Sequence, residues 1–211
     1  MKIKSIASSS KGNAYLISDF QTTVLVECGI PLKELKRKTN FIVPGVIDAC
    51  LVSHVHQDHS KSLKDLLNAG VRCYALKEVF EAKGLNKHHR AKRIKHLKQI
   101  DIGTFKIIPL EMNHDVPCIG FLIYSVVTNE KLLFATDTYM IKYAFHGLDY
   151  IMIEANYDVN LVEDDALKNR LFKSHMGIDT TINYLKSIDL SNVKQIYLPV
   201  SYTHLTLPTK A

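Results

Sequence analysis

Nowhere does this chain carry the run of roughly 20 apolar residues that a membrane-crossing helix needs; apolar stretches such as 119–127 and 150–153 stop well short. The first residues also lack the continuous apolar segment of a signal peptide, so the sequence reads as a soluble protein of the cytoplasm. CxxC pairs are missing. Cys28, Cys50, Cys73 and Cys118 lie far apart in a chain large enough to dispense with disulfides, and reduced thiols are expected. Repeats and low-complexity linkers are missing too. The 211 residues, 46% apolar and 23% charged, suffice for one core but not for two ordinary domains. Acidic residues are absent from one place in particular: residues 87–98 (KHHRAKRIKHLK) hold six Lys or Arg and three His, as many net charges as the whole chain's +6. Such a run is ordinarily a solvated helix face, and the alternative is a phosphate-binding surface. No aromatic residues interleave with it, so it would contact phosphates and shape rather than read bases.

Residues 3–6, 14–17 and 22–26 have the β-branched character of a meander of short strands, with the polar turn 8–13 between the first two. Pro31 opens a helix over 32–38. The apolar run 46–52 reads as a buried strand delivering a polar loop, and helix and strand signals then alternate: helix 63–69 ending at Gly70, strand 71–75, helix 77–83 ending at Gly84. Strand patterns return at 105–110, 119–127, 131–135 and 150–154, helical spacing at 164–171 and 179–185, and a last strand at 195–198. The result is two strand-rich halves with helices between and after them.

The loop after the strand at 46–52 is Ser53-His54-Val55-His56-Gln57-Asp58-His59-Ser60. A spacing of two along an extended chain puts His54 and His56 on one side, where both rings reach one metal ion; the turn beyond lets Asp58 and His59 face a second. Mixed nitrogen and oxygen donors suit zinc, with manganese or iron as alternatives. Two divalent ions would acidify a water for attack on phosphorus or a carbonyl carbon, and Asp58 stands where it could accept the proton. Hydrolysis is the implied reaction.

This HxHxDH pattern resembles the signature of the metallo-β-lactamase superfamily, and the likeness extends over nearly the whole chain. It implies an α/β fold of αββα layering: two face-to-face sheets with helices outside. The turn Ser8-Ser9-Ser10-Lys11-Gly12-Asn13, the phrase Glu27-Cys28-Gly29 and the phrase Glu154-Ala155-Asn156-Tyr157-Asp158 look most like the YycJ-type (VicX-like) and phage-borne hydrolases, related to RNase Z and nucleic-acid-processing branches. The resemblance implies that His54, His56 and His114 bind the first metal, that Asp58 and His59 serve the second, and that Asp137 bridges the two. It also implies that His175 donates a proton to the leaving oxygen with Glu154 as partner, as in RNase Z. Glu27 stands where the family usually has an Asp supporting the His loop.

With this branch in view, the basic run points to nucleic acid as partner, through Arg90, Lys92, Arg93 and Lys95. No cysteine stands in a ligand position and no export signal is seen, which speaks against an antibiotic-hydrolysing lactamase. Residues 199–210 (PVSYTHLTLPTK) resemble the translation of a transposon end with its sequencing adaptor. Residues 1–198 are therefore read as the hydrolase domain and 199–211 as a non-native tail. The family's last ligand comes from a His-Leu-Ser motif after the final strand; here that motif is absent, His204 falls too late, and the second metal site is expected to be incomplete. The leading reading is a phosphodiesterase or nuclease. Its alternatives are a small-molecule ester, lactone or cyclic-nucleotide hydrolase of the same fold, and a catalytically impaired module that only binds nucleic acid.

Overall fold

Strands rich in Val, Ile, Leu and Phe whose residues are buried on both faces can only lie inside a layered structure. In a computed structural model describing residues 1–162, 164 and 171–199, two six-stranded sheets supply those layers. The first runs in chain order: β1 (Lys2–Ala7), β2 (Ala14–Ser18), β3 (Thr23–Val26), β4 (Ala49–Leu51), β5 (Cys73–Ala75) and β6 (Ala91–Arg93). The first three are antiparallel, and β3 to β6 are parallel. The second contains β7 (Ile100–Ile102), β8 (Phe105–Met112), β9 (Cys118–Ser125), β10 (Lys131–Ala135), β11 (Tyr150–Ile153) and β12 (Gln195–Tyr197), antiparallel up to β10 and parallel beyond it.

Period-two alternation divides the second sheet between two cores. Leu132, Phe134 and Met152 join a large cluster with residues of the first sheet, while Leu133, Ala135, Ile151 and Ile153 join a smaller one on the opposite face. Aromatic rings tie the sheets together: Tyr15 of β2 meets Phe134 of β10 at 5.7 Å, and Phe134 meets Phe121 of β9 at 6.2 Å. Helices complete the four layers. Leu35 of α1 (Leu32–Lys38), Leu63, Leu66 and Leu67 of α4 (Leu63–Asn68), and Val79 and Phe80 of α5 (Lys77–Ala82) enter the large cluster; Tyr184 and Leu185 of α6 (Ile178–Ser187) pack on the small one. Two one-turn helices, α2 (Ile42–Gly45) and α3 (Gln57–Ser60), lie on either side of β4 in the chain.

The expected helix over 164–171 lies, but for its two end residues, outside the described residues, as does the tail from 200 on. The strand expected over 46–52 is shorter: Val46 is exposed to solvent and pairing begins at Ala49. The larger correction concerns residues 87–98. They form no helix face but the turn into β6, the strand itself and the passage to the second sheet. Lys92 and Arg93 are exposed at the free edge of the first sheet, where charge discourages a further strand from pairing. The sequence offered no alternation there because only three residues pair.

The polar loops at the C-terminal ends of β3 and β4 are held against each other by backbone. Asn13 N–H donates to Asp58 O and Cys28 N–H to His59 O, both at 2.8 Å, and Ser62 N–H donates to Cys28 O at 2.9 Å. Gly29 permits this approach: a Cβ there would stand 1.6 Å from Asp58 O, whereas one on Gly45 would meet nothing within 4 Å. Gly29→Ala is therefore expected to displace residues 57–60 and cost several kcal/mol of stability, on the scale of large overpacking effects, while Gly45→Ala stays within about 1 kcal/mol of wild type. Urea denaturation of the two variants measures both; equal midpoints would contradict the clamp.

Candidate metal centre and active site

Strands pointing the same way within each sheet end along one rim, and the polar residues just past those ends meet there. Glu27 follows β3, His54 and His56 follow β4, His114 follows β8, Asp137 follows β10 and Glu154 follows β11. Glu27 and Asp137 adopt positive φ, 65° and 55°. Left-handed backbone at a Glu costs on the order of 1–3 kcal/mol, and it turns the side chain sharply out of the strand toward the rim.

Three groups of ligand-type atoms arise, the atoms of each within 4.8 Å of one another: His54, His56 and His114; His54, His59 and Asp137; and Asp137, Glu154 and His175. His54 and Asp137 each belong to two groups. In the first, His56 Nδ1 lies 3.0 Å from His54 Nε2 and 3.4 Å from His114 Nε2. In the second, His59 Nε2 lies 3.3 Å from Asp137 Oδ2 and 3.2 Å from Asp58 Oδ2. In the third, His175 Nδ1 is 2.9 Å from Glu154 Oε2 and 3.7 Å from Asp137 Oδ1.

Each ring is aimed by a partner on its other side. Ser53 Oγ lies 2.8 Å from His54 Nδ1, and the Ser174 carbonyl accepts from His114 Nδ1 at 2.9 Å, which leaves the Nε2 lone pair of His114 facing inward. Glu27 Oε1 stands 3.5 Å from His59 Nδ1. Asp115 flanks His114 and His56, its oxygens 3.0 and 3.8 Å from their Nε2 atoms. Asn13, fully buried, brings Nδ2 to 3.2 Å from His59 Nε2, its own Oδ1 held by Ser9 N–H and Tyr15 O–H.

Electrostatics divides these rings. Burial, reinforced by the neighbouring imidazoles, holds His54 well below the ordinary histidine range, and burial lowers His114 too; both are neutral and present lone pairs. Burial also opposes charge on His59, but Asp137 and Glu27 outweigh it and raise that ring well above its usual value. Burial raises Glu27 and Glu154, the latter against the pull of His175.

Asp137 Oδ2, Glu27 Oε1 and His59 Nδ1 are buried without a hydrogen bond. Buried polar groups are rarely left so. A cation between Asp137 and the rings would satisfy the first and charge-balance the others, so the residues present fit a divalent metal: nitrogen donors from His54, His56 and His114 on one side, His59, Asp137 and the adjacent Asp58 on the other. The structure therefore brings together His54, His56, Asp58, His59, His114, Asp137, Glu154 and His175, all of which the sequence had singled out. Arg90, Lys92, Arg93 and Lys95 are not part of this rim. They flank or form β6, two strands from β4, roughly 10 Å away laterally at the sheet's strand spacing. Sequence reasoning passed over Asn13, Ser53, Asp115 and Ser174 as partners of these rings; Asn13, in a polar turn closing on the rim, carried the one usable signal.

A metal at the His59 group must displace the proton that Asp137 and Glu27 hold on that ring. Because the ring's pKa is raised, the metal-free protein keeps the proton at neutral pH, and affinity there rises as pH rises. Titration calorimetry in buffers of different ionisation enthalpy should show release of about one proton per metal bound at this group; buffer-independent heats would contradict it.

Comparison with known proteins agrees with this geometry. A family model described as the β-lactamase superfamily domain matches residues 22–198. Exodeoxyribonuclease WalJ of Streptococcus pneumoniae is 27% identical over 81% of this chain and 68% of its own length. Among solved structures, the metallo-β-lactamase fold protein YhfI of Bacillus subtilis superposes with a TM-score of 0.71 at 18% identity, over 95% of this chain and 86% of its own. The short form of human tRNase Z superposes with a TM-score of 0.63 at 14% identity, covering 95% and 92%. With its sheets, its helical layers and the His54-x-His56-x-Asp58-His59 loop at their rim, this chain belongs to the β-lactamase superfamily and has the metallo-β-lactamase fold.

Proposed function

We propose that the protein is a metal-dependent phosphodiesterase that hydrolyses nucleic acid, with two divalent ions at the strand-end rim. The observation that carries the reading is the chain of three ligand-type groups linked through His54 and Asp137, with the His175–Glu154 pair at its end. The all-nitrogen His54, His56, His114 group suits zinc; the group containing His59 and Asp137 suits zinc, manganese or iron. Such ions supply Lewis acidity and make a water acidic enough to attack at neutral pH. The motif that would supply a further ligand after β12 is absent from this sequence and the residues from 200 on fall outside the described residues, so the second site is read as incomplete and its ion as the weaker bound.

The chain's own residues do the rest. Asp58, whose carboxyl lies below its usual range beside protonated His59 in spite of partial burial, and which a bound cation would keep ionised in place of that proton, takes up the proton of the attacking water. His175, fixed by Glu154, reaches the opposite side of Asp137 and protonates the departing oxygen, since an alkoxide is a poor leaving group. Asn13 Nδ2 offers a donor beside His59 for a phosphoryl oxygen. The exposed Lys92, Arg93 and Lys95 and the half-exposed Arg90 supply positive charge for a strand entering along the edge of the first sheet. WalJ is named an exodeoxyribonuclease and the superposed human enzyme a tRNase, which supports phosphodiesters over lactams as the substrate class.

Metal-loaded protein should cleave single-stranded oligonucleotides and leave lactams and lactones intact. Asp58→Ala should lower the rate by about 10²- to 10⁴-fold with an unchanged circular dichroism spectrum. A lactam or lactone turned over faster than any oligonucleotide would overturn the reading. Neutralising Arg90, Lys92, Arg93 and Lys95 together should flatten the salt dependence of single-strand binding, lowering the log–log slope by up to about 3. An unaltered slope would leave the run as protection of the sheet edge alone.

A further inference from the structure

Beside His175, a cavity of about 390 Å³ opens between residues 157–159 after β11, residues 172–175 and the start of α6. Among the described residues its walls include Tyr139, Tyr157, Phe172, Asp158 and Asp179, together with His175, which also contacts Glu154 and Asp137 of the rim. The volume lies within the roughly 300–1,000 Å³ of small-molecule sites. Tyr157 is buried and its ring supports that of Phe172 at 5.6 Å. Tyr139 and Phe172 remain 40% and 44% exposed, although each stands only two or three residues from Asp137 or His175. Large aromatic faces left open to water at the edge of a polar centre are a stacking surface in want of a flat partner.

Charge narrows the partner. Asp158 and Asp179 place two carboxylates on this wall and no Lys or Arg lines it among the described residues; its one cationic side chain is His175 when it carries the proton it donates, so a phosphate belongs beside His175 and not among the aromatic rings. What fits exposed aromatic faces with carboxylates beside them is the uncharged heterocycle of a nucleotide, whose exocyclic amines donate to carboxylate oxygens. We propose that this cavity receives the unstacked base of the nucleotide bearing the scissile phosphate, so that the enzyme acts on unpaired ends or single strands. The inference rests on the phosphodiesterase reading and deepens it: the adjoining rim takes the phosphate, Tyr139, Tyr157 and Phe172 take the base, and a base paired in a duplex cannot enter.

Two measurements test it. Single-stranded oligonucleotides that carry an abasic residue next to the susceptible linkage should be cleaved at least tenfold more slowly than intact ones, the order expected when one stacked base is lost. Double-stranded blunt ends should be cleaved more slowly still. In a binding experiment with metal-loaded Asp58→Ala, the fluorescence of an oligonucleotide carrying terminal 2-aminopurine should be quenched on binding. Adding Tyr139→Ala and Phe172→Ala should abolish the quench, and Tyr139→Phe with Phe172→Tyr should restore it. Equal cleavage of abasic and intact strands, or no quench, overturns the base pocket while leaving the phosphodiesterase reading in place. Wild-type protein that cleaves no oligonucleotide at all overturns the phosphodiesterase reading, and the quench then decides separately whether the cavity holds a base.

Discussion

Glu27, His54, His59, Asp137 and Glu154 are buried beside one another, and desolvating so many ionisable groups is repaid only when each finds a partner of the right charge. Part of that compensation is internal, since Asp137 and Glu27 hold a proton on His59 while Glu154 holds His175. The hydrogen-bonding capacity left open at Asp137 Oδ2 points inward among the rings. A divalent cation completes the arrangement, and the remainder of the fold can be read as what keeps these groups from relaxing apart without it.

Rigidity comes from the layers. Glu27, His54, His114, Asp137 and Glu154 lie just after strands whose apolar side chains are locked between sheets or under helices, and Tyr15, Phe121 and Phe134 fasten one sheet to the other beneath them. The His loop is not a free loop. It is pinned by backbone hydrogen bonds from Asn13 and Cys28, an approach that only a glycine at position 29 allows. Precision of a few tenths of an ångström in ligand placement follows from such support rather than from the ligands themselves.

Much of this is legible in the amino-acid sequence. The strand over 131–135 and the helix over 32–38 match β10 and α1 residue for residue, because continuous burial and a proline start leave little freedom. The His54 to His59 loop announced itself by spacing. His114, Asp137, Glu154 and His175 were reached only through family resemblance, for a single His or Asp after a strand has no local signature. β6 and β7 escaped: each has three residues, and they lack the apolar neighbours that revealed the equally short β4, β5 and β12, while β6 lay hidden in a charge run that suggested helix. The aromatic cavity also escaped, because Tyr139, Tyr157 and Phe172 are far apart in sequence and share no spacing. Fold-scale pattern is written in periodicity; convergence of distant strand ends is not.

Metal at the rim is what all of these contacts require. Anomalous X-ray diffraction from crystals grown with zinc, recorded on both sides of the zinc edge, locates the ions directly. It should place one peak in contact with His54, His56 and His114 and a second, weaker one beside His59 and Asp137. Anomalous density confined to surface histidines such as His88 and His89, with none among the rim residues, would contradict the assignment.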